Sequence, residues 1–174
     1  DFPIRIYNYD NLTSHVIGYV GRPTSDDFQE FPHTKQTLQV GKNGLEKYYE
    51  DTLTGTPGEI TFRGSDIIEY IPPIKGQNIN ISLNIDTQRV VKESLLQGIE
   101  LANENEDTLD EVIRTSIVLD VNTGEIVSMV SIPDFDPNQF IDGISNQEYE
   151  KLNRIQAFNN FAIQGLYPPG SVFK

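Results

Sequence analysis

Arg114-Thr115-Ser116-Ile117-Val118-Leu119-Asp120-Val121-Asn122-Thr123-Gly124-Glu125-Ile126-Val127-Ser128-Met129-Val130-Ser131-Ile132 decides the fold. Two apolar, β-branched runs, 114–120 and 125–132, flank a short connection from Val121 to Gly124. Branched side chains favour extended backbone, and Asn and Gly supply the conformations a tight turn needs. The stretch therefore reads as a β-hairpin, with Pro133 and Pro137 ending its second strand.

Upstream of the hairpin, residues 87–102 carry Val91, Leu95, Ile99 and Ala102 along one helical face. Gln88, Lys92 and Glu93 are placed on the outside, Asp86 is read as the N-cap, and Glu93 and Glu100 are read as a solvated face. Residues 78–85 alternate Ile79, Ile81, Leu83 and Ile85 with Asn78, Asn80, Ser82 and Asn84, which predicts a strand. Between helix and hairpin, residues 103–111 hold five acids in nine positions, a composition break that suggests a boundary or an exposed loop. These acids lack the glycine and the spacing of a calcium loop, and so do Asp120-x-Asn122 and Asp134-x-Asp136-x-Asn138.

Residues 59–74 suggest strands around Ile60–Arg63 and Ile67–Ile71, closed by Pro72-Pro73. Residues 41–58 suggest one short helix, with Asn43 and Glu46 as a capping box and Leu45, Tyr48, Tyr49 and Leu53 as its apolar face. Residues 1–40 read as loop-rich, with short strands at Ile4–Tyr9 and Val16–Val20 and a polar surface loop from Thr24 to Thr37. Downstream, Tyr149, Leu152, Ile155 and Ala157-Phe158 hint at a helix within 146–165. Strand pairs and helices that do not alternate regularly make the fold class α+β.

Composition excludes several functions. The 174 residues carry 13 Lys plus Arg against 26 Asp plus Glu, a net charge of −13. So acidic a chain is a poor partner for nucleic acid or anionic lipid, both of which are held by clustered cations. Ile, Leu, Val and Phe number 20, 12, 11 and 9, enough for a core. With no cysteine there is no disulfide framework, no thiolate metal site and no thiol nucleophile. No apolar run is long enough to cross a membrane. A start at Asp1 and an end at Lys174 give the reading of an excerpt or processed product.

The candidate chemistry lies at the end. Ser171 and Lys174 are three apart, which on a helix puts them on one face within reach of each other. A serine hydroxyl is a weak nucleophile until a base takes its proton, and a lysine of lowered pKa can do so. By frequency alone, 10 Ser and 7 Lys supply about 0.4 such pairs by chance. Context raises the pair, because Tyr167-Pro168-Pro169-Gly170 makes a rigid turn just before the serine. Ser82-x-Asn84 and Thr54-Gly55-Thr56, which imitate other catalytic patterns, precede the serine and are read as noise.

Tyr167-Pro168-Pro169-Gly170-Ser171-Val172-Phe173-Lys174 resembles the active-serine segment of class B penicillin-binding proteins. Ser116 to Val130 resembles the first hairpin of their transpeptidase domain, and Pro133-Asp134-Phe135-Asp136-Pro137-Asn138 the turn after it. Gly41 to Glu50 and Leu53 to Gly58 resemble their pedestal, or dimerisation, domain, and Leu83 to Gln88 its junction with the catalytic domain. His15-Val16-Ile17-Gly18-Tyr19-Val20-Gly21, together with Tyr-Pro-Pro-Gly, favours the elongation type over the division type. One departure is Asn160-Phe161-Ala162, where the family has Asn-Arg-Ala.

The resemblance implies a strand-rich pedestal with its junction helix over 1–105 and the opening of a serine transpeptidase domain over 106–174. It implies a parent D,D-transpeptidase that cross-links peptidoglycan stem peptides in cell-wall elongation and cell-shape maintenance. Ser171 would be the nucleophile and Lys174 the base, β-lactams would acylate the same serine, and no metal or cofactor is involved. The implied partners are a lipid-II-polymerising glycosyltransferase and cell-shape scaffold proteins. The implied place is the periplasmic face of the bacterial inner membrane, through an N-terminal anchor this chain lacks. The fragment alone would be inactive, since a Ser-x-Asn motif and a Lys-Thr-Gly strand belong after the serine. A non-catalytic interaction module is the alternative.

Overall fold

A computed structural model describes residues 5–33, 39–103 and 113–167. The expected strand residue Ile4, part of the Thr24–Thr37 loop, most of the acidic stretch, Ser171 and Lys174 lie outside the described residues. The structure mixes helices and short antiparallel strand pairs, in keeping with an α+β chain. It groups into two compact units.

The first unit is built from Ile17–Ile81 and Pro137–Gly143 with the first residues of the chain. Strand β1 (Val20–Gly21) pairs antiparallel with β2 (Val40–Gly41), and both valines are buried. Two short helices follow, α3 (Gly44–Tyr48) and α4 (Glu50–Thr54). Gly41 lets α3 approach, because a Cβ there would stand 2.3 Å from the backbone of Glu46. The polar stretch before β2 contains α2 (Asp27–Glu30), whose Asp27 is buried.

Three carboxylates lie inside this unit. Glu46 meets the Arg5 guanidinium at 2.9 Å. Glu50 accepts from the Gly41 amide at 2.8 Å and from the Thr54 hydroxyl at 2.5 Å. Asp27 accepts from the amide and hydroxyl of Thr24 and from the Lys42 ammonium. Burying a carboxylate is tolerable only with such partners. They overturn the single helix expected over 41–58. The helix breaks at Tyr49, Glu46 and Glu50 point inward, and Tyr48 is 79% exposed. No capping box forms, because the Asn43 side chain accepts from the Tyr19 amide instead.

The predicted strands at 59–74 form a hairpin, β3 (Glu59–Arg63) with β4 (Asp66–Ile71), with a bulge at Thr61/Phe62. Its Ile60, Phe62, Ile67, Ile68 and Tyr70 are all exposed. Strands are absent at Tyr7–Tyr9, and Val16 lies in a helical turn, α1 (Ser14–Ile17), rather than in a strand.

The second unit joins Tyr7–Val16, Ser82–Asp136 and the residues from Ile144 on. The deciding hairpin is present as β5 (Arg114–Leu119) against β6 (Ile126–Ile132), in register Ser116↔Val130 and Val118↔Ser128. Its turn uses Gly124 at φ +76°, where a side chain would be strained, and the Asp120 carboxylate accepts from the amides of Asn122 and Thr123. Those two backbone bonds hold the Asp120 carboxyl below its ordinary range.

Helix α5 (Ile85–Asn103) packs on β6. It begins one turn earlier than Asp86 would set it, because Asn84 is the capping group and accepts from the Thr87 amide at 2.9 Å. The strand expected over 78–85 does not form. Alternation needs a ladder as well as a pattern, and here one backbone bond, Asn84 to Val127, joins the segment to β6. Ile81 is accordingly 42% exposed.

Gln88 is the largest correction. Placed on the outer face from its polarity, it is 1% exposed. Its Nε2 donates to the carbonyls of Leu12 (2.9 Å) and Met129 (2.7 Å). Its Oε1 accepts from the Ser128 hydroxyl (2.8 Å) and the Met129 amide (2.9 Å). Lys92 is likewise turned inward and pairs with Asp134. The predicted helix within 146–165 is two, α6 (Asn146–Arg154), capped by Ser145, and α7 (Phe161–Gln164). Between them Gln156 takes φ +56° and Ala157 is fully buried.

Replacing Gln88 by Leu should strand four buried polar groups, each costing about 1–3 kcal/mol if left unpaired. The expected loss is at least about 3 kcal/mol in urea unfolding. Glu93→Ala, on the exposed face of the same helix, should change stability by less than about 0.5 kcal/mol. Similar losses for both would show that the Gln88 network does not hold the unit together.

Candidate active site

The catalytic pair read from the sequence, Ser171 and Lys174, lies beyond the last described residue, Tyr167. What the structure does place is the segment that leads to it. That segment runs from the turn after α6, through α7, to Gly165-Leu166-Tyr167.

Four residues fix the segment in place. Ser131, on β6 and 2% exposed, accepts from the Phe161 amide at 3.0 Å, so the sheet holds the first residue of α7. Asn160 is the N-cap of α7, its Oδ1 accepting from the Ala162 amide at 3.2 Å. The Asn160 amide nitrogen of the backbone donates to Gln164 Oε1 at 2.9 Å, closing the helical turn reciprocally. Phe161, standing where the resemblance expects Arg, is 9% exposed, so the segment is anchored by an apolar side chain at that position.

The fourth residue comes from the other end of the chain. His15 Nε2 lies 2.8 Å from the Ala157 carbonyl, an acceptor, so Nε2 carries the proton and donates. The His15 carbonyl accepts from Asn160 Nδ2 at 3.4 Å. The imidazole also stands edge-on to Phe135 at 5.7 Å, and Phe135 meets Phe158 at 5.3 Å. Burial lowers the His15 pKa below the ordinary imidazole value; the Ala157 bond and Asp134 oppose this, and Lys92 adds to it. Neutral imidazole is thus the form the folded chain favours.

Sequence reasoning missed Gln88, His15 and Asn160. Gln88 lies three residues before Val91 and seven before Leu95, on the apolar stripe itself, and that spacing was the available signal. His15 and Ala157 are 142 residues apart, and no local pattern joins them. Among the described residues no group of three or more His, Asp or Glu could hold a metal ion, and no helix is long and apolar enough to cross a membrane.

Comparison with known proteins gives two family matches. The Penicillin-binding Protein dimerisation domain matches residues 1–81, and the Penicillin binding protein transpeptidase domain matches residues 115–174. Curated relatives include the peptidoglycan D,D-transpeptidases MrdA of Haemophilus influenzae and Escherichia coli K12, both 34% identical over 98% of this chain. The Acinetobacter baumannii MrdA is 36% identical over 98% of this chain. The chain spans about a quarter of the length of these relatives: 26%, 27% and 25% in turn. Among solved structures, Pseudomonas aeruginosa PBP2 in complex with WCK 5153 superposes with a TM-score of 0.74 at 30% identity. That match covers 97% of this chain and 32% of the other. Helicobacter pylori PBP2 in complex with MreC superposes at 0.71 with 28% identity, covering 97% of this chain and 30% of the other.

The His15 environment predicts an acid-labile unit. Its folded-state pKa lies below the unfolded value of about 6.5, so the unfolded chain binds more protons in the window between the two. Stability is therefore full above about pH 6.5, falls as pH drops below it, and levels off under the folded pKa. Urea unfolding from about pH 8 to pH 5 should show this fall, with a slope of at most about 1.4 kcal/mol per pH unit. His15→Phe should flatten it, and an unchanged slope would mean another group titrates.

Proposed function

This chain belongs to the penicillin-binding protein family, as a segment of the penicillin-binding protein 2 (MrdA) type, and on that premise we propose that its parent is a peptidoglycan D,D-transpeptidase. The supporting observation is similarity over 98% of the chain, with Ser171-Val172-Phe173-Lys174 falling inside the transpeptidase match. In this reading residues 1–105 are pedestal and junction helix, and 106–174 open the catalytic domain.

Ser171 Oγ attacks the carbonyl between the two terminal D-alanines of a stem peptide, and its proton passes to Lys174 Nζ. Collapse of the tetrahedral intermediate breaks the peptide bond and releases D-alanine, whose amine takes the proton. The ester left on Ser171 is then attacked by an amine of a neighbouring stem, which forms the cross-link and frees the serine. For this Lys174 must be neutral before attack, a state that burial or neighbouring cations favour. A β-lactam acylates the same serine and leaves slowly. No metal or cofactor enters any step.

The same reading supplies partners and place. The Helicobacter pylori relative is described in complex with MreC, and we extend to this chain a cell-shape scaffold partner. A lipid-II-polymerising glycosyltransferase, and an inner-membrane anchor with the catalytic domain in the periplasm, complete the proposal. Cell-wall elongation is the process it serves.

Incubating the gene's full-length product with fluorescent penicillin, followed by denaturing gels, tests the assignment. One covalent label per molecule is expected, lost in Ser171→Ala. In Lys174→Met labelling should slow by roughly 10²–10⁴-fold, the usual contribution of a general base. The 174-residue chain alone should stay unlabelled. Label that survives Ser171→Ala would move the nucleophile elsewhere.

A further inference from the structure

We propose that His15 is a positioning residue for Ser171: it clamps the segment Ala157–Gln164, from which the chain runs to the nucleophile. The proposal rests on the transpeptidase reading above and adds to it a residue outside the family's catalytic patterns.

The geometry is a two-sided grip. The His15 side chain holds Ala157 through Nε2–H, and its main-chain carbonyl holds the Asn160 side chain. Asn160 in turn caps α7 through Oδ1. One residue therefore fixes both the buried turn before α7 and the group that starts that helix. His15 is held independently, since its ring packs on Phe135 and the neighbouring Leu12 carbonyl is tied to Gln88. The charged groups near the imidazole are Asp134 and Lys92, which pair with each other, and Asn11 also donates to Asp134.

From Asn160 to Ser171 is eleven residues, of which α7 takes four. Ser131 secures Phe161 from the sheet, but a single bond to one amide leaves the helix free to pivot. The His15 contacts with Ala157 and Asn160 supply the second and third points that fix orientation. Misplacing a nucleophile by about 1 Å can cost roughly 10²-fold in rate, so losing one point of the grip should be visible in acylation.

The test uses the full-length product and its labelling by fluorescent penicillin. His15→Phe keeps a ring against Phe135 and removes the donor; His15→Gln returns an amide nitrogen near the Nε2 position. His15→Phe should lower the acylation rate constant about tenfold, the size expected from one lost hydrogen bond, with the dissociation constant of the noncovalent complex unchanged. His15→Gln should recover to within about threefold of wild type. Hydrogen exchange at the amides of Phe161 to Gln164 should quicken at least about tenfold in His15→Phe, with exchange in α5 and β6 unchanged. Should His15→Phe not fold, His15→Asn, whose shorter amide falls short of Ala157, takes its place with the same expectation.

Unchanged acylation in a variant whose α7 amides exchange faster would overturn the positioning role. So would equal slowing in the Phe and Gln variants, or uniform loosening of the whole unit. A wild-type protein that penicillin does not acylate overturns the transpeptidase reading and with it any role toward Ser171. That outcome is told apart because the exchange difference between wild type and His15→Phe would persist.

Discussion

The second unit depends on one primary amide. Gln88 has two donors and room for two acceptors, and all four sites are used by three different stretches of chain. A buried amide costs several kcal/mol unless it is paired, so the arrangement is nearly all-or-none. Shift α5 by one residue along β6 and the Met129 amide and carbonyl lose their partner together. The register of helix on sheet, and the path of the chain near Leu12, are thus set by direction-dependent bonds. Apolar packing, which the half-buried Val91, Leu95 and Ile99 also provide, would permit sliding.

The first unit applies the same economy to charge. Asp27, Glu46 and Glu50 are buried, and each is matched by a cation, an amide or a hydroxyl. Such pairs add little net stability, because desolvation offsets most of the attraction. What they do is forbid alternatives: a helix turned to bury Tyr48 would expose Glu50's partners and leave the Gly41 amide unpaired. A net charge of −13 makes the chain repel itself, and these matched carboxylates sit where that repulsion is answered locally.

The legible parts of the fold were those whose cause is local. The hairpins at 59–71 and 114–132 announce themselves through branched runs and turn residues, and α5 through its period. The misreadings share one origin, the assumption that polar side chains face water. It placed Gln88 and Lys92 outside, hid Glu46 and Glu50, and let the alternation over 78–85 stand for a strand with no ladder to join. Partners 41, 76 and 142 residues away decided these cases, and periodicity carries no information at that range. The catalytic pair was legible as a pattern in a family context. The residues that hold the segment leading to it were not, because a clamp has no motif.

That difference follows from what each part must do. A serine acylated by its substrate needs reactants aligned within fractions of an ångström, and apolar contacts are too tolerant for that, since a methyl group can slide with little penalty. A hydrogen bond loses most of its worth by about 3.6 Å or when badly bent. The bonds around α7, from Ser131, Asn160 and His15, are of the intolerant kind. They are also drawn from a strand, a cap and a distant segment, so no single loop motion releases them all. A short helix of four residues has no stability of its own to hold a nucleophile still. Rigidity has to be imported from its neighbours, and this is why residues so distant in sequence belong to the same piece of chemistry.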